Sequence, residues 1–379
     1  MPDSTSLGRS TPLVPPLYQS SVYTLPDLDV LDRIMTGEAP GFIYQRDGHP
    51  NARLLASQLA AVERAEWAVV CGSGMGAITA ALLATARQGD HLVASNRLYG
   101  KTTVLLDQEL SSYGVRTTFV DTADLDQVRT ALEKPSKLLL VETISNPLVR
   151  LCDLEALAEL AHEHDCLLAV DNTFATPVLC RPIDFGADIV VESLTKMIGG
   201  HSDVTLGLIC GAGELFAQVD QIVSVWGLAS HPFECWLAAR GLATLSLRMR
   251  AASANAAAVA DWLAKQSSVA SVVYPGRPEH PDHALAKRLL HGGFGSMLCF
   301  ELRGGREAVN RFMRQAPGIP FSPSFGHTAT TCSHPATTSH RSVSPAERRR
   351  QGIGDGLIRL SVGLEELEQI QRELAKGLE

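Results

Sequence analysis

The sequence predicts an α/β protein: an extended N-terminal arm over residues 1–45, a large domain with a mostly parallel sheet over 46–240, and a smaller α+β domain over 241–379. Two observations carry this. Short apolar runs bounded by polar residues recur between helix-like segments, and continuous apolar strands alternating with helices mean a sheet covered on both faces. The 379 residues are 45% hydrophobic and 20% charged, with glycine and proline scattered rather than periodic, which excludes fibrous and disordered classes.

The arm is read from Pro2, Pro12, Pro15, Pro16 and Pro26, which occur without a sustained apolar period and suit a chain lying over another surface. Leu54, Leu55, Leu59 and Val62 recur at three- and four-residue spacing, so 51–66 is a helix. Residues 67–71 form a strand, 74–90 a helix with a glycine stop, 91–95 a strand, 101–114 a helix, 115–121 a strand and 125–134 a helix. Strands follow at 137–143, 166–172 and 187–193, separated by a helix at 154–165 and a loop-like stretch at 174–186. Beyond a helical stretch near 232–265, strands at 268–275 and 297–302 and helices near 281–290, 305–315 and 364–376 make up the smaller domain.

Lys+Arg 33 against Asp+Glu 41 gives a net charge of −8, so no basic surface for nucleic acid or anionic membrane is expected. The eight cysteines, Cys71, Cys152, Cys166, Cys180, Cys210, Cys235, Cys299 and Cys332, show no CxxC pair and mostly fall in apolar runs. They read as reduced core residues, with no metal site, in a cytoplasmic protein. No run of about 18 uncharged apolar residues suggests a membrane span.

Ligands of open α/β sheets bind beyond the carboxyl ends of the strands. There the sequence gathers a glycine-rich turn at 72–76, Glu142 and Asn146, Asp171 to Thr173, and Glu192 to Lys196. The turn can bring backbone N–H groups and a helix's positive end to a phosphate, or can simply be a tight turn. Gly72, Gly74 and Ala77 also match a dinucleotide pattern, but the next strand ends in Ser95 and Asn96 rather than an acid, which disfavours a nicotinamide cofactor. Lys196 is either a solvated amine or, if desolvated, a Schiff-base former. Asp171 is either a helix cap or the partner of a pyridinium nitrogen. Lysine, acid and phosphate turn together are what pyridoxal 5′-phosphate (PLP) needs.

The wording of the chain then resembles a known family. Tyr44-Gln45-Arg46, Ser73-Gly74-Met75, Tyr99-Gly100, Asn146-Pro147, Asp171-Asn172-Thr173-Phe174, Ser193-Leu194-Thr195-Lys196, Gly200-His201-Ser202-Asp203 and Arg359-Leu360-Ser361-Val362-Gly363 are similar to motifs of the Cys/Met-metabolism PLP enzymes. These include cystathionine γ-synthases, cystathionine γ-lyases and methionine γ-lyases. The resemblance spans about residues 14 to 375. It implies a type I aminotransferase-like fold with a mostly parallel seven-stranded sheet. It implies a carbon–sulfur lyase or transferase acting on sulfur-containing or O-acylated amino acids by γ-elimination or γ-replacement. Cystathionine β-lyase and O-acylhomoserine sulfhydrylase activities are its sister alternatives.

By the same resemblance Lys196 binds the cofactor covalently and moves protons, Asp171 pairs with the pyridine nitrogen, Tyr99 stacks on the ring and Asn146 contacts it. Gly74, Met75, Ser193 and Thr195 hold the phosphate, joined by Tyr44 and Arg46 of a neighbouring subunit, so a homotetramer of two active dimers is implied. Arg359 clamps the substrate α-carboxylate, with Ser324 and Asn146 nearby, and His201 is structural. Four places depart from the family pattern: Lys101 where a small residue or cysteine is usual, His49 for asparagine, Phe325 for leucine, and Ala329-Thr330 for a Glu-Ser pair.

Overall fold

A computed structural model describes residues 10–341 and 343–379 of the chain. Seven strands form the large sheet: β1 (Trp67–Cys71), β2 (His91–Ser95), β3 (Arg116–Val120), β4 (Leu138–Glu142), β5 (Leu167–Asp171), β6 (Ile189–Ser193) and β7 (Gly207–Gly211). Their order is β1-β7-β6-β5-β4-β2-β3. Strands from β6 through β3 run parallel, whereas β7 is antiparallel to both β1 and β6. Strand β4 is buried along its whole length, as a parallel strand covered on both faces must be.

Two apolar layers cover this sheet. One joins Leu55 and Leu59 of helix α2 (Pro50–Glu63) to Leu139, Val141, Leu168 and Val190 on one face of the sheet. The other packs Ala77, Ala81 and Leu82 of α3 (Gly74–Thr85) against the opposite face through Val69, Leu140, Ala169 and Val191. A second, four-stranded antiparallel sheet is ordered β10-β11-β9-β8, with β8 (Val269–Val273), β9 (Met297–Leu302), β10 (Thr331–Ser333) and β11 (Leu357–Ser361). Phe300, Phe312, Ile358 and Leu374 centre its own core against the helices Leu245–Leu263, Gly305–Gln315 and Leu367–Leu378.

The eight cysteines are free and buried. Among the described residues no helix is long and apolar enough to cross a membrane.

The structure departs from the sequence reading in several places. The arm is not extended throughout: Leu28–Met35 is helical, capped by the Asp27 carboxylate on the Val30 N–H, yet it buries none of its residues. The arm holds to the large domain by backbone, through Tyr18 N–H to Asn51 Oδ1 and Trp236 Nε1 to Pro15 O, both at 2.9 Å. The loop-like stretch 174–186 contains two short helices, Thr176–Leu179 and Pro182–Phe185, whose prolines sit at helix starts where a missing N–H costs nothing. The single helical stretch near 232–265 is two helices, Pro232–Leu242 and Leu245–Leu263.

Candidate active site

The ends of β1, β2, β4, β5 and β6 each deliver one part of a cavity of about 770 Å³. The turn after β1 opens α3, where the Ser73 hydroxyl caps the Gly76 N–H at 2.9 Å and Ala77 N–H reaches Ser73 O at 3.0 Å. The Gly74 and Met75 N–H groups are left at the helix mouth without an intrahelical acceptor. A side chain at position 74 would not fit: its Cβ would stand 2.8 Å from Ser193 Cβ. The glycine lets the end of β6 and the start of α3 form one cradle.

Glu142 ends β4 beside Asp171 on β5, their Cα atoms paired in register. Glu142 accepts the Tyr99 N–H at 2.6 Å and the Asn146 N–H at 3.3 Å, so it ties two cavity loops to the sheet. Burial, and then Asp171, raise its pKa well above the usual carboxylate range. Asp171 accepts the Thr173 N–H at 3.0 Å, and burial raises its pKa too. It has no cationic partner among the described residues.

Lys196 follows β6. Its Nζ donates to Ser324 Oγ at 2.9 Å and lies 4.7 Å from the centre of the Phe325 ring. Burial first, and Arg359 second, lower the pKa of the amine. The loop that carries it is pinned by Arg248, which donates to Met197 O at 2.6 Å and Ile198 O at 2.9 Å, and by Thr195 Oγ1, which accepts the Leu206 N–H at 3.2 Å. His201 bonds Gly199 O at 2.7 Å through its ring.

Arg359 comes from the other sheet, on β11, and is 4% exposed. It donates to Asn146 Oδ1 at 2.7 Å and Ser324 O at 3.1 Å. Burial pushes its pKa down to about 10. Both acceptors are neutral, so the guanidinium is buried, aimed into the cavity and without a counterion, an arrangement that strongly favours a planar anion.

Gly74, Met75, Tyr99, Asn146, Asp171, Ser193, Thr195, Lys196 and Arg359 therefore meet in one cavity, and Ser324 joins them through Lys196. Tyr44 and Arg46 do not line it. They stand half-exposed, with Arg46 donating to Ser224 O at 3.1 Å. Sequence reasoning gave no role to Phe325 or Arg341, which also line the wall. Phe325 packs edge-on against Phe174 at 4.6 Å between ring centres and lies 5.0 Å from the Arg359 guanidinium; only its departure from the family pattern marked it.

The donor set fits PLP: a phosphate-sized cradle at a helix mouth, a desolvated amine, and a buried carboxyl with no cation of its own to meet a ring N–H. A family model for Cys/Met metabolism PLP-dependent enzymes matches residues 4–379. An O-succinylhomoserine sulfhydrylase of Pseudomonas aeruginosa is 42% identical over 342 residues, 90% of this chain and 85% of that protein. An L-methionine gamma-lyase of Fusobacterium nucleatum is 40% identical over 370 residues, 97% of this chain and 93% of that protein. Among solved structures, cystathionine gamma synthase from Xanthomonas oryzae, in complex with aminoacrylate and cysteine, superposes with a TM-score of 0.91 at 37% identity, covering 96% of this chain and 92% of that one. With the match running nearly end to end and the cavity supplying what the cofactor requires, this chain belongs to the Cys/Met-metabolism family of PLP-dependent enzymes.

Proposed function

We propose that the enzyme removes or replaces the γ-substituent of an L-amino acid, taking sulfur-containing amino acids or O-acylated homoserines as substrates. Water would lead to a 2-oxo acid and ammonia, and a thiol to a thioether. The observation that carries this reading is the placement of Lys196 Nζ, desolvated and 2.9 Å from Ser324 Oγ, in a cavity it shares with Arg359.

When bound, PLP supplies an electron sink for negative charge developing on the substrate carbons. The remaining work falls to the chain. Arg359 binds the substrate α-carboxylate, exchanging neutral oxygens for charged ones and thereby orienting the α-carbon toward Lys196. The lowered pKa of Lys196 keeps more of the amine uncharged near neutral pH, the form that takes the α-proton. Ser324 orients that amine from the side. Asp171 keeps a proton on the ring nitrogen, and Tyr99 stacks on the ring and assists proton transfer. Asn146 contacts the ring and positions Arg359. Gly74 and Met75 N–H groups with Ser193 and Thr195 hydroxyls hold the phosphate.

Tyr44, at the end of the arm, and Arg46, at the start of the large domain, complete the phosphate site of a neighbouring subunit in this proposal, because they lie outside their own cavity. The working assembly is a homotetramer of active dimers in the cytoplasm, each chain divided into arm, large domain and small domain at about residues 45 and 240.

Borohydride reduction of the yellow holoenzyme, followed by peptide mass analysis, should leave the cofactor on the peptide containing Lys196; an unmodified Lys196 would refute the reading. A panel of L-methionine, L-cystathionine, L-homocysteine and O-acyl-L-homoserines, with and without thiol, should then give 2-oxo acid or thioether from at least one member.

A further inference from the structure

The Ser324-Phe325-Gly326 turn touches both working cations of the cavity at once. Ser324 gives its hydroxyl oxygen to Lys196 Nζ at 2.9 Å and its carbonyl oxygen to Arg359 at 3.1 Å. Phe325 meets the same pair with its ring, whose centre lies 4.7 Å from Lys196 Nζ and 5.0 Å from the Arg359 guanidinium. Both distances fall inside the roughly 6 Å over which a cation is drawn to an aromatic face. The turn is fixed from three sides. A Cβ on Gly326, at φ 84°, would meet Met197 N at 2.7 Å, so this backbone presses on the lysine's own loop. The Gly326 N–H donates to Ser361 Oγ at 3.0 Å on β11, the strand that carries Arg359, and Phe174 abuts the ring edge-on.

What the ring supplies is otherwise missing. Lys196 and Arg359 bond only neutral acceptors, and the guanidinium pulls the pKa of the amine down beyond what burial does. Around them the cavity also holds Tyr99, Lys101 and Arg341, and the carboxyls Glu142, Asp171 and Glu192. Burial raises the pKa of all three carboxyls, so they lend the amine little negative charge. Yet an amine that takes a proton from carbon must hold it until the next transfer. A carboxylate beside Lys196 would help it do so, but would also bind Arg359 and keep the substrate's α-carboxylate out. An aromatic face attracts both cations without neutralising either.

We propose that Phe325 is a positioning residue whose ring holds the Lys196 ammonium and spaces it from Arg359, standing in for the counterion that the carboxylate clamp excludes. Leucine, the residue the family pattern has at this place, offers the bulk but no π face. This inference rests on the reading in which Lys196 takes the α-proton.

The test is the pH dependence of PLP uptake by the full chain stripped of its cofactor, read as the rate at which the yellow colour returns. Uptake needs the uncharged amine, so the rate climbs with pH to a midpoint set by Lys196. Weakening the pull of the ring leaves the ammonium less favoured and moves that midpoint down. Phe325→Leu should lower it by about 0.5 pH unit or more, whereas Phe325→Tyr should keep it. Mono-, di- and trifluorinated phenylalanine at position 325 drain the π face while keeping its shape, and should lower the midpoint stepwise. The acid limb of kcat in the holoenzyme should move the same way. A merely structural role would leave the fluorinated series level. A midpoint that stays put across that series, even where Phe325→Leu shifts it, overturns the role of the ring while leaving Lys196 as the cofactor's residue. No return of colour at any pH in the unaltered chain overturns the reading of Lys196, and the inference with it.

Discussion

Asn172, next to Asp171, is held by a buried knot of acids. Its Nδ2 donates to Glu63 Oε1 at 3.4 Å, Glu192 Oε1 at 3.3 Å and Cys180 O at 2.9 Å, and its Oδ1 accepts the Thr143 hydroxyl at 2.8 Å. Glu63 and Glu192 are almost wholly enclosed. Burial pushes the Glu63 pKa up to about 7 and that of Glu192 well above the usual carboxylate range. The folded chain therefore binds protons that the unfolded chain releases, so stability from Glu63 is full below about 4.5 and is lost as pH rises through about 7. Glu63→Gln should flatten chemical-denaturation stability across pH 4.5–7, removing a slope worth on the order of 3 kcal/mol in total. An unaltered slope would show that Glu63 is not the titrating group.

At the scale of elements, the hinge of the site is the meeting of α3 with β6. Gly74→Ala should keep the far-ultraviolet circular dichroism of the native protein but weaken PLP binding at least about tenfold in absorbance titrations. Its Cβ would meet Ser193 at 2.8 Å, and the cradle would have to open. Wild-type affinity in the variant would show that the cradle does not grip the phosphate. This element was legible in the sequence, as were β1 to β6, because glycine turns and apolar runs are local signals. Three strands were not, the shortest being β10, whose three residues lie in a polar stretch that reads as loop. In β7, Gly207 and Gly211 sit at both ends because neighbouring backbone, Ser73 O and Asp188 O, leaves no room for a Cβ, and glycine erases the strand pattern. In β11, Arg359 and Ser361 break the apolar run of a strand that is buried throughout, so the residue that supplies the anion clamp also helps to hide the strand. Glu142 was visible as a strand-end acid, but its bonds to the Tyr99 and Asn146 N–H groups depend on loop geometry that no spacing encodes.

At the scale of the whole molecule, Arg46 lies apart from its own cavity and donates to Ser224 O instead. If cavities are completed across subunits, mixing an inactive Lys196→Ala chain with an inactive Arg46→Ala chain should restore activity. In a random dimer population about a quarter of the cavities would then be intact. No recovery in heterodimers verified by mass would make each cavity self-sufficient. The cysteines set a different boundary. Every one lies inside the packed layers, and burial raises Cys71, Cys166, Cys235, Cys299 and Cys332 to about 12, so scarcely any thiolate is available to react. A thiol-reactive dye thus meets a silent surface on the native enzyme and eight sulfurs once the chain opens, which makes unfolding readable from the protein's own atoms without an added label site.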